Sequence, residues 1–266
     1  MNGSGAAGRP GHETIAEAIR AAGTQGEPAL VGFLTAGFPA RERFRADLAR
    51  VAAGAAVVEI GVPFTDPMAD GMTIQRASRA ALAQGVSLRW ILEELTALAP
   101  RPPAPLVLMS YLNPLLAYGL ERLPGAARAA GVAGLIVPDL PFEECGDLMR
   151  ALAAEGLGLV QMVTPVTPPE RLARLVASAQ GFVYAVTMTG TTGKNVTVPD
   201  EVLAYLAAVK ALAPVPVCAG FGIRSREQVL RLRGVVDGVI VGSALVEVLE
   251  RGEDPGAFLA SLRGAT

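Results

Sequence analysis

The chain reads as an α/β protein, a (β/α)8 TIM barrel with an N-terminal helix and an extra helix after the second strand. Three observations predict this: eight short apolar runs, helical periodicity between them, and a length of 266 residues, which suits one such domain. Hydrophobic residues make up 51% and charged residues 18%, enough to bury a large core and too apolar for general disorder. A net charge of −2 and few aromatics leave no basic surface for nucleic acid or acidic lipid. Gly, Pro or a charge interrupts every apolar run well short of the roughly 20 residues of a membrane span. Cys145 and Cys218 sit in apolar segments and read as free buried thiols, so the expected compartment is the reducing cytoplasm.

In chain order, residues 1–11 are Gly- and Ala-rich without the apolar stretch of a signal peptide. They are expected to form a flexible tail, with 12–266 as a single barrel domain. The one histidine, His12, falls in that poorly ordered start, which removes the parts for a His-based metal site or a Ser-His-Asp triad. A helix is expected over about 13–22. The apolar runs then fall at 30–35, 57–61, 106–110, 135–138, 159–163, 182–186, 215–219 and 235–241, each rich in Val, Leu and Ile as strands covered on both faces should be. Between them, Phe44, Leu48 and Val51 share a helix face, as do Leu88, Ile91, Leu92 and Leu95. Leu172, Leu175 and Val176 repeat the pattern, and so do Val202, Leu203, Leu206 and Val209. Residues 72–100 hold two helical stretches broken at Gln84-Gly85, hence the extra helix. Thr167-Pro168 with Glu170 predicts an N-cap, an N1 proline and a capping-box partner; Ser225 with Gln228 predicts a second box. An open doubly wound sheet is the competing fold.

Chemistry in this fold sits at the C-terminal ends of the strands. Glu59 lies inside a strand buried on both faces, where lost hydration raises a carboxyl pKa and suits it to proton transfer; a structural, paired carboxylate is the alternative. The following loop, 62–71, is long and carries two prolines and two aspartates, with Asp70 eleven residues after Glu59. Asp70-Gly71 alone is also an ordinary turn signal. Asp139 ends the fourth strand and equally suits a cap of the next helix. Met109 and Tyr111 end the third strand as pocket lining or core filling. Trp90 reads as packing, and Lys194 as a phosphate contact or a solvated charge. Glycine clusters after strands six, seven and eight (Gly190 to Gly193, Gly220 to Gly222, and Gly242-Ser243) describe a phosphate cradle at a helix N-terminus.

The segment Val57-Val58-Glu59-Ile60-Gly61-Val62-Pro63-Phe64-Thr65-Asp66-Pro67-Met68-Ala69-Asp70-Gly71 resembles the signature of the tryptophan synthase alpha chain family. Leu34-Thr35-Ala36-Gly37, Leu108 to Pro114, Pro138-Asp139-Leu140-Pro141, Phe182-Val183-Tyr184, Gly220-Phe221-Gly222 and Gly242-Ser243-Ala244 follow in family order, so the likeness spans roughly 13–260. The resemblance implies retro-aldol cleavage of indole-3-glycerol phosphate to indole and glyceraldehyde 3-phosphate. Glu59 matches the general acid–base and Asp70 the carboxylate that holds the indole N–H. Tyr184, Met109, Tyr111 and Asp139 fall in the substrate pocket; Thr192, Gly193, Gly222, Gly242 and Ser243 fall at the phosphate site. The alpha chain needs no cofactor or metal. Its implied partner is a beta subunit carrying pyridoxal phosphate, in an α2β2 heterotetramer, with Pro63 and Asp66 on the interface side. Loops 62–72 and 187–198 are the implied closing segments. Met72 stands where the family usually has proline, and Thr191 where it usually has valine, which bears on loop closure and coupling. A stand-alone indole-releasing lyase and a weak barrel kept as an activating subunit are the competing functions; retention of both carboxylates argues against the second.

Overall fold

The computed structural model of the protein describes residues 9–23, 27–187, 198–220 and 222–264. Helix α1 (Gly11–Ala22) precedes β1 (Ala29–Thr35), α2 (Phe44–Gly54) and β2 (Val57–Gly61). Two helices, α3 (Met72–Ala83) and α4 (Leu88–Thr96), come before β3 (Leu106–Met109), as the break at Gln84-Gly85 predicts. Next are α5 (Leu112–Tyr118), α6 (Leu123–Ala129), β4 (Val132–Ile136) and α7 (Gly146–Ala154). The remaining elements are β5 (Gly158–Leu159), β6 (Gln161–Val163), α8 (Pro169–Ser178), β7 (Val183–Val186), α9 (Asp200–Leu212), β8 (Val217–Gly220), α10 (Arg226–Arg231), β9 (Gly238–Val241), α11 (Ser243–Glu250) and α12 (Pro255–Arg263).

All pairings are parallel, in the order β5-β4-β3-β2-β1-β9-β8-β7-β6. The nine segments are the eight expected strands with the fifth in two pieces: β5 pairs with β4, β6 pairs with β7, and Val160 joins them. The barrel thus closes there through chain continuity. Side-chain alternation divides two cores. Val31, Val57, Val107, Val160 and Ile240 fill the barrel interior, while Leu30, Val58, Leu108, Val183 and Val241 pack outward under the helices. Ile15 and Ile19 of α1 are fully buried with the interior set and stopper the N-terminal end.

Of the two start signals read from the sequence, one holds and one shifts. Ser225 and Gln228 form the capping box on α10, and the Ser87 side chain accepts from Trp90 N on α4. Trp90 packs on Phe44 with ring centroids 5.4 Å apart, as a core residue. At α8, however, Pro168 is the N-cap and Pro169 the first helical residue. The Thr167 hydroxyl accepts from Thr164 N at 3.0 Å instead of capping the helix. His12 is also displaced from its expected setting: it lies in the first turn of α1 with Nδ1 buried, because Gly11 N–H docks on Gly156 O at 2.6 Å. Both cysteines are free and buried. Among the described residues no helix is long and apolar enough to cross a membrane.

Candidate active site

The odd positions of β2 share the interior face with Val57, so Glu59 points into the barrel between Phe33 and Val107 on the neighbouring strands. It is fully buried, and neither carboxyl oxygen has a hydrogen-bond partner among the described residues. Burial disfavours the charged form, and this desolvation raises its pKa from 4.5 to about 8. Two aromatic rings stand close by. Phe33 lies against Gly61, where any Cβ would come within 2.5 Å of the ring, so glycine is required for this approach. Tyr184, inward on β7, feels the Glu59 and Asp70 charges, which together with burial hold its phenol well above the ordinary range.

Asp70 comes from the loop rather than from a strand. The Tyr111 hydroxyl donates to its carboxylate and accepts from Ala69 N at 2.9 Å, while Phe64 stacks on the Tyr111 ring. Gln75 Nε2 donates to Asp70 O at 2.9 Å. Partial burial raises the Asp70 pKa from 3.8 to about 6, with the Tyr111 bond opposing the rise. The loop carboxylate is therefore partly shielded, yet it still ionises before Glu59.

Glu59, Asp70, Tyr184, Met109, Asp139 and Gly242 line one cavity of about 640 Å³ at the C-terminal mouth. Tyr111 lies instead in a small adjoining pocket, with Asp70 and the buried Thr35. Asp139 does further work: its Oδ1 accepts from Leu112 N at 2.8 Å, capping α5, the helix before its strand and not the one after. Ser243 opens α11 directly after Gly242, so the first-turn N–H groups of that helix face the mouth's edge. Gly222 has φ +63 and is exposed outside the cavity lining. Pro63 is buried and Asp66 exposed in the loop, with Asp66 accepting from the Thr65 hydroxyl. Thr192, Gly193, Lys194 and Thr191 lie outside the described residues. Loop 187–198 is described only at Thr187, whose hydroxyl bonds Gly220 O at 2.8 Å, and at Val198.

Helices α3 and α11 are clamped together beside the mouth. Arg76 binds Glu250 through two bonds of 2.6 and 3.0 Å, and the Thr73 hydroxyl reaches Glu247 at 3.2 Å. Arg224 binds the same Glu247 at 2.7 Å. Sequence reasoning passed over Phe33, Met162 and Gln161 as cavity lining. Strand parity offered a signal for the first two, which point inward; Gln161, on the opposite face, carried none.

A barrel whose mouth holds a fully buried carboxyl beside a partly buried one in a single cavity has the architecture of a (β/α)8 enzyme. The comparisons with known proteins give the family. The model of the tryptophan synthase alpha chain family matches residues 19–262. The tryptophan synthase alpha chain of Nitratidesulfovibrio vulgaris (strain DP4) is 48% identical, over 91% of this chain and 94% of its own. That of Solidesulfovibrio magneticus is 46% identical, over 94% and 96%. The crystal structure of tryptophan synthase subunit alpha from Legionella pneumophila str. Paris superposes with a TM-score of 0.84 at 32% identity, covering 96% of this chain and 98% of that one. A Mycobacterium tuberculosis tryptophan synthase structure gives 0.85 at 35% identity, covering 94% and 97%. The chain belongs to the tryptophan synthase alpha chain family, and with it to the lyases of tryptophan biosynthesis.

Proposed function

We propose that the chain cleaves indole-3-glycerol phosphate to indole and glyceraldehyde 3-phosphate. The observation that carries this is the fully buried Glu59 carboxyl, unpartnered among the described residues, sharing a cavity with Asp70. With a pKa of about 8, Glu59 holds its proton at neutral pH and delivers it to the ring carbon that bears the side chain. Asp70, at about 6, is ionised there; it accepts the indole N–H and stabilises the positive charge that develops on nitrogen. The bond from ring to side chain then breaks, its electrons returning to the ring. The side-chain hydroxyl becomes the aldehyde as its proton passes to Glu59, which restores the acid. No net proton is consumed, and the ring serves as the electron sink, so the chemistry calls for no metal or organic cofactor.

The N–H groups opening α11 at Ser243, next to Gly242, suit the phosphate dianion, because a helix N-terminus carries partial positive charge. Met109 and Tyr184 line the cavity and suit contact with the indole ring. The solved structures that resemble this chain include tryptophan synthase from Mycobacterium tuberculosis, which supports a beta-subunit partner, where pyridoxal phosphate would reside; the two free, buried thiols suit a reducing cytoplasm. Exposed Met68 and Asp66, in the loop beside the mouth, suit the docking side.

Indole release by the purified chain, with and without a tryptophan synthase beta subunit, tests the reading. Slow release that rises sharply with the partner is the expected result. Fast release indifferent to the partner would mark a stand-alone lyase, and no release under either condition would leave only an activating subunit.

A further inference from the structure

The cavity has a lobe that this chemistry does not use. Val160 and Met162 pack in the barrel interior, whereas Leu159 and Val163 pack outward, so Gln161 lies on the outward face. Yet Gln161 lines the same cavity as Glu59. The barrel wall explains this. Pairing of β4 with the fifth strand stops at Leu135 and Leu159, Val160 N–H bonds Leu135 O, and β6 pairs with β7. Beyond that point the wall parts sideways, and the mouth continues into the layer under α7 and α8, walled by Cys145, Leu159 and Leu175.

Gln161 is 6% exposed, and a buried amide must find partners or lose stability. Its polar neighbour among the described residues is the Cys145 thiol, which itself donates to Phe142 O at 3.0 Å. A carboxamide offers two N–H donors and an oxygen with two lone pairs, more capacity than one thiol can use, and Gln161 lines the cavity. The cation in the lining, Arg171, pairs with Glu143 at 3.1 Å, and the Asp139 carboxylate in the lining accepts from Leu112 N. Among the described residues the lobe therefore combines apolar walls and an amide with no unpaired cation, which disfavours an anion and suits a neutral ring.

We infer that this lateral lobe is a second binding site for a small neutral aromatic heterocycle, its single N–H donating to the Gln161 side-chain oxygen. The choice of occupant rests on the function proposed above, under which the available heterocycle is the product, indole.

The test is a calorimetric titration of the full chain with indole while an uncleavable indolylalkyl phosphate fills the catalytic lobe. One further equivalent of indole is expected to bind. Gln161→Leu keeps the volume and removes the acceptor, so the affinity for the second indole should fall roughly threefold to tenfold. Cys145→Met fills the lobe and should abolish the second equivalent, which covers the case in which the leucine variant does not fold. No second equivalent in the wild type, or unchanged affinity in both variants, overturns the site. Indole binding without cleavage activity would sink the function while the site stands; cleavage without a second equivalent would do the reverse.

Discussion

Glu59 and Asp70 stand eleven residues apart and line one cavity, but the strand and the loop prepare them by different means. On β2 the backbone ladder and the alternation of side chains fix Glu59 inside the barrel, and burial alone sets its proton affinity. In the loop, Asp70 is only partly buried, and a hydrogen bond from Tyr111 restrains its rise. The difference teaches how one short segment supplies both an acid and a base. The wall withdraws water from one carboxyl, while the loop keeps the other charged through a donor from β3's end.

The contrast can be broken most severely at Glu59. Glu59→Gln should lower the cleavage rate about a thousandfold with substrate affinity retained, measured by single-turnover kinetics and calorimetry. The same variant tests burial as the cause. Between pH 4.5 and 8 the native state keeps a proton that the unfolded chain releases, so wild-type stability should fall as pH rises through that window. The full cost is roughly 5 kcal/mol above pH 8, and thermal unfolding of Glu59→Gln should lack this slope. Asp70→Asn should cost roughly a hundredfold in kcat, since the amide cannot balance charge on the indole nitrogen. An unchanged kcat would remove Asp70 from the mechanism.

Tyr111→Phe sharpens the comparison at the loop. It removes the bond that holds the Asp70 pKa down, so the acidic limb of kcat/KM should move above about 6 while the alkaline limb near 8 stays in place. A rate loss of roughly fivefold to tenfold should accompany it. The smallest effect is expected at Met72, the first residue of α3, where proline fits the helix start. Met72→Pro should add about 0.4–1 kcal/mol of stability through a stiffer unfolded chain, with activity within about twofold of wild type.

Eight strands and the burial of Glu59 were legible because short continuous apolar runs mark strands covered on both faces and period-3.6 patterns mark the helices between them. Pairing leaves no such trace. Nothing in 159–163 as a sequence reveals that its hydrogen bonds to β4 end at Val160, so neither the split strand nor the lobe behind it could be read. The same limit applies to contacts made at a distance. Tyr111 finds Asp70 across 41 residues, as the Ala69 bond beside it shows, and Asp139 reaches back 27 residues to cap α5. Two consecutive prolines after Thr167 left the start of α8 open by one position, which the Thr164 bond decides.

The clamp of Arg76, Glu250, Thr73, Glu247 and Arg224 joins the helix that begins beside Asp70 to the helix that begins at Ser243. In the proposed reaction these two helix starts grip opposite ends of one substrate, so the clamp behaves as a caliper that sets their spacing. Its partly exposed ion pairs are the kind that dissolved salt weakens. Ionic strength thereby becomes a dial on how well the molecule measures the length of what it binds.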